Sequence, residues 1–170
     1  MQVSHYELYE AEKVYLEVYD NIWNYWCFGF FDEIVFCVIV RIDKALLDGL
    51  TEQAKASARL RMNLDLRTSG ADSSQRMLNA IEPGSVVPIH RHRFTSETFV
   101  VLRGRVVEEF YSSSGEVEAS FEVAAGGEVC ALNIPAGTWH TLRALESGTV
   151  ILEMKDGAYE PIGEEDIMKL

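Results

Sequence analysis

Between Gly84 and Gly104 the chain reads GSVVPIHRHRFTSETFVVLRG, and no other stretch limits the fold so tightly. His90 and His92 are two residues apart and Glu97 follows five residues later, in surroundings rich in Val, Phe and Thr. Side chains at i and i+2 of a strand leave from one face, so an extended backbone here aims both imidazoles the same way. Two imidazoles and a carboxylate converging on one side of a sheet make most of a metal site. The fourth ligand is then expected on a neighbouring strand, and PAGTWH at 135–140 offers His140.

The flanking sequence supplies the sheet. From Ile42 onward, Ile42, Leu46, Leu50 and Ala54 repeat every four positions behind Asp43 as a candidate N-cap. This predicts a helix to about Ser57 that covers one face of the sheet. RMNLDLRTS (61–69) alternates Met62, Leu64 and Leu66 with Arg61, Asn63 and Asp65, the pattern of a half-buried strand. QRMLNAI (75–81) reads as a further strand, and EPGS as the turn that delivers the chain into a histidine strand. Strands are also expected over 98–102, 105–111, 117–123, 128–134 and 149–154, with turns at SSSG and AAGG between them. Short strands at this spacing predict a mainly β sandwich or barrel. A short helical turn is expected after Gly163.

A length of 170 residues fits one domain with a substantial core. A formal net charge of −12 argues against nucleic acid, whose phosphates are met by clustered Lys and Arg. Cys27, Cys37 and Cys130 are odd in number and lack CxxC spacing, which fits a reducing, cytoplasmic setting. Cys130, in an apolar strand, is expected in the core.

Residues 1–40 differ from the rest: they hold 11 of the 18 aromatics and one basic residue, Lys13, against seven acidic ones. The apolar run Ile22 to Val40 carries Asp32 and Glu33 near its middle, which costs about 2.5–3.5 kcal/mol per acidic residue in a spanning helix. No membrane span is therefore expected, and no positively charged leader of the secretory kind is seen. Three readings stay open for this segment: an extra strand from Ile34 to Val40, an aromatic arm packed on a partner, or upstream sequence from a misassigned start near Val40. The last is the expectation adopted, with 41–170 as the folded domain. His5 has no partner at useful spacing and is expected to be exposed.

These residues resemble the cupin superfamily, whose first motif G-x5-H-x-H-x4-E-x6-G is filled by Gly84, His90, His92, Glu97 and Gly104. The second motif, G-x5-P-x-G-x2-H-x3-N, is met by Pro135, Gly137 and His140; its first Gly is displaced to Gly126 or Gly127, and Ala144 replaces its Asn. RMNLDLRTS, the run from Ser73 to Ala80, TSETFVVLRG and GAYEP are similar to the WbuC family of cupin-fold metalloproteins, over about residues 40–161. The resemblance implies a cupin jelly roll (a double-stranded β-helix barrel) with an N-terminal helix, and a homodimer. It also implies a place in bacterial surface-polysaccharide (O-antigen or capsule) biosynthesis.

Taken singly, HRH could be an exposed basic strand end, Glu97 a surface carboxylate and His140 a core histidine. Jointly, with the glycine and proline spacing, His90, His92, Glu97 and His140 point to one divalent transition metal: Zn, Fe, Mn or Ni. All ten Arg lie between Arg41 and Arg143, and guanidinium forks suit carboxylate or phosphate. Arg61, Asn63, Arg76 and Asn79 are the candidate substrate-binding residues for a small anionic molecule or sugar derivative. Strand parity forbids Arg76 and Asn79 from both facing inward without a bulge. Function is expected to be that of a metal-dependent enzyme, with isomerase, epimerase and oxygenase chemistry open; the competing class is a non-catalytic metal-dependent binding or sensing module.

Overall fold

The computed structural model of the protein describes residues 25–30 and 33–169. By internal packing the chain divides into two compact units, residues 1–49 and 50–170. The first contains an antiparallel hairpin of β1 (Tyr25–Phe30) and β2 (Glu33–Val40). The strand reading of Ile34 to Val40 coincides with β2, whereas His5 and the rest of residues 1–24 lie outside the described residues.

Helix α1 (Lys44–Ala56) starts where the sequence placed its cap. Asp43 Oδ1 accepts the Leu46 N–H at 3.1 Å, satisfying a donor that the first turn would leave open. Leu46, Leu50 and Ala54 are buried along one stripe, but Ile42 is 42% exposed because it precedes the first turn and does not share the helical phase. Among the described residues no helix is long and apolar enough to cross a membrane.

The second unit is built from two antiparallel sheets. One contains β3 (Arg61–Asp65), β4 (Ser74–Ile81), β5 (Glu97–Arg103), β8 (Ala131–Ile134) and β10 (Thr149–Asp156), in the spatial order β3-β4-β10-β5-β8. The other contains β6 (Arg105–Tyr111), β7 (Val117–Ala124) and β9 (Trp139–Ala144), in the order β7-β6-β9. Alternate residues of both sheets meet in a core that includes Phe99, Val101, Val106, Val123, Ile134 and Ile151. From β5 onward the chain passes between the sheets four times, at β5–β6, β7–β8, β8–β9 and β9–β10, and the first passage turns on the single residue Gly104. Gly104 has φ +76°, and a Cβ there would lie 2.9 Å from the Thr149 Cα, so a side chain fits neither the conformation nor the space. At the end of β5, Arg103 Nη2 donates to the Thr51 hydroxyl on α1, and its Nε donates to the Gly148 carbonyl at 2.8 Å.

β4 pairs with β3 and β10 in continuous register, with no bulge. Its odd residues, Gln75, Met77, Asn79 and Ile81, therefore share one face, while Leu78 and Ala80 are fully buried on the other. Two expectations need correction. The histidine strand is absent as a strand: between β4 and β5 only His90 forms ladder bridges, to His140 and to Ile167. Pro88 has no N–H to offer a ladder, and loop hydrogen bonds take its place. Cys130 is exposed rather than in the core, because β8 begins only at Ala131 and the residues before it form a surface connection. The expected turn near the C-terminus is a 3-10 turn at Glu164–Asp166.

Candidate metal centre

His90 and His140 exchange backbone hydrogen bonds, each N–H donating to the other's carbonyl at 2.9 Å. This sets the ring of the loop residue beside the ring on β9, with centroids 4.5 Å apart. The Gly137 N–H donates to the His92 carbonyl at 2.7 Å, and the Thr141 hydroxyl donates to the Val87 carbonyl at 2.7 Å. Gly137 makes its bond at φ +80°, a left-handed conformation that suits glycine. The i, i+2 rule for the two loop histidines thus holds without a ladder, since His90 and His92 come within 5.0 Å of one another, centroid to centroid.

One donor atom from each of His90, His92, Glu97 and His140 lies within 4.8 Å of the others. Glu97, at the start of β5, is 4% exposed and His140 is 3% exposed. Two ring nitrogens face backbone carbonyls: Nδ1 of His90 at 2.9 Å from Pro88 O, and Nδ1 of His140 at 2.8 Å from Thr138 O. A carbonyl only accepts, so Nδ1 carries the proton in both rings and Nε2 keeps its lone pair for the site. The Asn of the second cupin motif is therefore dispensable as the orienter of His140 here, and Ala144 in its place packs into the core.

The electrostatics favour a cation. Nε2 of His92, Nε2 of His140 and Oε2 of Glu97 are buried and have no hydrogen-bond partner, although His92 Nε2 and Glu97 Oε2 lie 3.1 Å apart. Buried polar atoms are seldom left so, and three of them converging on one point fit the binding of a positive ion. Burial, followed by the neighbouring His140, lowers the His90 pKa to about 4, so this imidazole is neutral and able to coordinate. Burial alone would raise the Glu97 carboxyl, but His140, His92 and Lys155 together hold it well below the usual carboxylate range. Three imidazole nitrogens and one anionic oxygen suit a first-row divalent ion. Such an ion, when bound, acts as a Lewis acid on a ligand oxygen.

The cluster opens into a cavity of about 1010 Å³. Arg61, Asn63 and Asn79 line it, as do Glu153 and Lys155. Arg61 donates to the Val86 carbonyl at 2.7 Å, and Asn79 Nδ2 donates to Glu153 Oε2 at 3.0 Å. Arg76 is absent from the lining. It sits on the even face of β4 and its guanidinium binds Asp72 at 2.6 Å, so parity chose Asn79 over Arg76 for the inside. Sequence reasoning missed Glu153 and Lys155, although both occupy odd positions of a strand paired in register with β5.

The arginines flanking His92 do not enter the cluster. Arg91 Nε and Arg93 Nη2 both donate to Asp166 Oδ1 at 2.8 Å, and the Arg91 N–H donates to the Asp166 carbonyl at 3.1 Å. Arg91, then Arg93, holds the Asp166 carboxyl below its ordinary value. The C-terminal segment thereby fixes the metal loop from outside. Outer support of this kind typically carries 10–100-fold in metal affinity, and Asp166→Ala is expected to weaken binding by about tenfold in a competition titration against a chelating dye. Unchanged affinity would remove the segment from the metal centre.

Two interleaved sheets in this strand order, with a His3Glu cluster between them, define a cupin-fold protein. A family model described as a domain of unknown function (DUF6016) matches residues 42–123. No curated protein matches the chain. Among solved structures it is similar to recombinant oxalate oxidase in complex with glycolate, at 16% identity and TM-score 0.53, over 64% of this chain and 57% of that one. CapF with the inhibitor 3-isopropenyl-tropolone is 22% identical at TM-score 0.50, over 58% of this chain and 28% of that one. KdgF from Halomonas sp. is 15% identical at TM-score 0.48, over 58% and 82%. The likenesses to oxalate oxidase and CapF, at TM-scores 0.53 and 0.50, show the fold.

Proposed function

We propose that the protein is a metal-dependent enzyme acting on a small anionic or sugar-type molecule in bacterial surface-polysaccharide biosynthesis, cytoplasmic and homodimeric. The observation that carries the metal and ligand part is the trio of buried donor atoms without hydrogen bonds at the floor of a large cavity. The polysaccharide context and the dimer rest on the likeness of RMNLDLRTS and TSETFVVLRG to the WbuC family. Zn, Fe, Mn and Ni all accept this donor set, so metal analysis of protein purified without added metal comes first.

A thermal-shift comparison then tests the ligand class, since a molecule that binds the native state raises the melting temperature by an amount that grows with the logarithm of its concentration relative to Kd. D-Glucuronate is expected to raise it and D-glucose to leave it unchanged. Arg61→Ala should reduce the glucuronate shift without loss of metal. Equal shifts from the acid and the neutral sugar would discard the anionic class. Binding without turnover of any anionic sugar would favour the sensing module over the enzyme.

A further inference from the structure

Resting on that reading, we infer that Lys155 anchors the ligand's anionic group beside the metal, which makes the ligand a carboxylate rather than a neutral sugar. β5 and β10 pair so that Glu97 and Lys155 are direct Cα partners, with both side chains turned into the cavity. Lys155 Nζ lies 3.4 Å from Glu97 Oε2 and forms an ion pair with Glu153, which in turn accepts from Asn79. The Lys155 side chain is 11% exposed and that of Glu153 is 18% exposed.

The oxygen that Lys155 approaches is the one left without a hydrogen bond, and so the one a metal would take. Once a divalent ion occupies it, the ammonium keeps Glu153, no longer has Glu97 to itself as a counter-charge, and faces a cation. Glu97 and Glu153 then carry two negative charges against three positive ones on the ion and the lysine, and the imidazoles are neutral. One positive charge is left over at a largely buried floor, where an uncompensated charge is costly. A ligand carboxylate would satisfy both needs, with one oxygen towards the ion and the other on the N–H donors of Lys155 that Glu153 does not use. Arg91 and Arg93 are engaged by Asp166, and Arg61, which donates to Val86 O from Nη1, keeps further donors for a more distant part of the ligand. Lys155 Nζ is a cation of the cavity 3.4 Å from a carboxylate of the ligand set.

The test is calorimetric titration of L-lactate and of its neutral amide, lactamide, into zinc-saturated wild type, Lys155→Met and Lys155→Arg, with metal content measured first. Lactate is expected to bind wild type, to bind Lys155→Met about tenfold or more weakly, and to recover most of its affinity in Lys155→Arg. Lactamide should not distinguish the three proteins. Equal lactate affinity in wild type and Lys155→Met overturns the anchor, as does a wild type that binds lactate no better than lactamide. Loss of zinc from Lys155→Met would make the lysine a mere support for Glu97, and overturns it too. A wild type that holds no metal would sink the proposed function itself, and shows before any lactate is added.

Discussion

His92→Ala is expected to lose the metal while the barrel still folds. In wild type, metal content should approach one ion per chain after saturation, and it should fall far below that in the His92, His140 and Glu97 alanine variants. Outer-sphere partners alone are typically worth 10–100-fold in affinity, so removal of a direct ligand is expected to cost more than about 100-fold. The fold is expected to survive because the core residues, Phe99, Val101, Ile134 and Ile151 among them, are buried without any help from the ion. Added metal at 100 times its dissociation constant stabilises a native state by about 2.7 kcal/mol, so wild type should melt higher with zinc and His92→Ala should not respond. Protons compete for the same nitrogens: retention should fall with pH below the free-imidazole value of ~6.5, and burial of His90, which holds it down to about 4, extends binding towards acid. Full occupancy in any one variant removes that residue from the coordination sphere. A wild type that stays empty with Zn, Mn, Fe and Ni would end the metalloprotein reading.

What the sequence made legible was what spacing controls. The four histidine and glutamate positions come together because a short extended segment and one facing strand suffice to aim them, and both conditions are written in the i, i+2 pattern and in PAGTWH. The helix start was legible in Asp43 for the same local reason. Parity also warned that Arg76 and Asn79 could not share a face, though it could not say which would turn inward, since that depends on which side of β4 meets the second sheet. The histidine segment misled as a strand because its Val-rich composition suits a ladder, while Pro88 and the long-range bonds to Gly137 and Thr141 hold it extended without one. Asp166 gave no signal: its role comes from a return of the chain to the metal loop across some 75 residues of sequence.

The replacement Glu108→Gln is expected to raise stability at alkaline pH, although no contact in the structure is improved by it. Strand RVVEEFY puts Val106, Glu108 and Phe110 on one face and Val107, Glu109 and Tyr111 on the other, so each face receives one Glu and composition could not tell which is inside. Glu108 is the buried one: it is 0% exposed, and neither of its oxygens has a hydrogen bond. Burial, then the charges of Glu97 and Glu109, raises its pKa from 4.5 to about 9. The native protein thus holds a proton between those values that the unfolded chain releases, and stability must fall as pH rises across that window. Each unit is worth about 1.4 kcal/mol, so at pH 8 the loss reaches as much as about 5 kcal/mol, which the neutral glutamine avoids. In a domain of this size that corresponds to roughly 10 °C in melting temperature. Melting curves of both proteins from pH 5 to pH 9 should nearly coincide at the acid end and diverge steadily towards alkali. His90 and Glu97 titrate alike in both, so the difference curve isolates Glu108. An ion at Glu97 offsets the second cause of the shift, and the divergence should therefore narrow when the metal is bound. Parallel curves across the whole range would mean that Glu108 is ionised in the folded protein and that the core around it admits water.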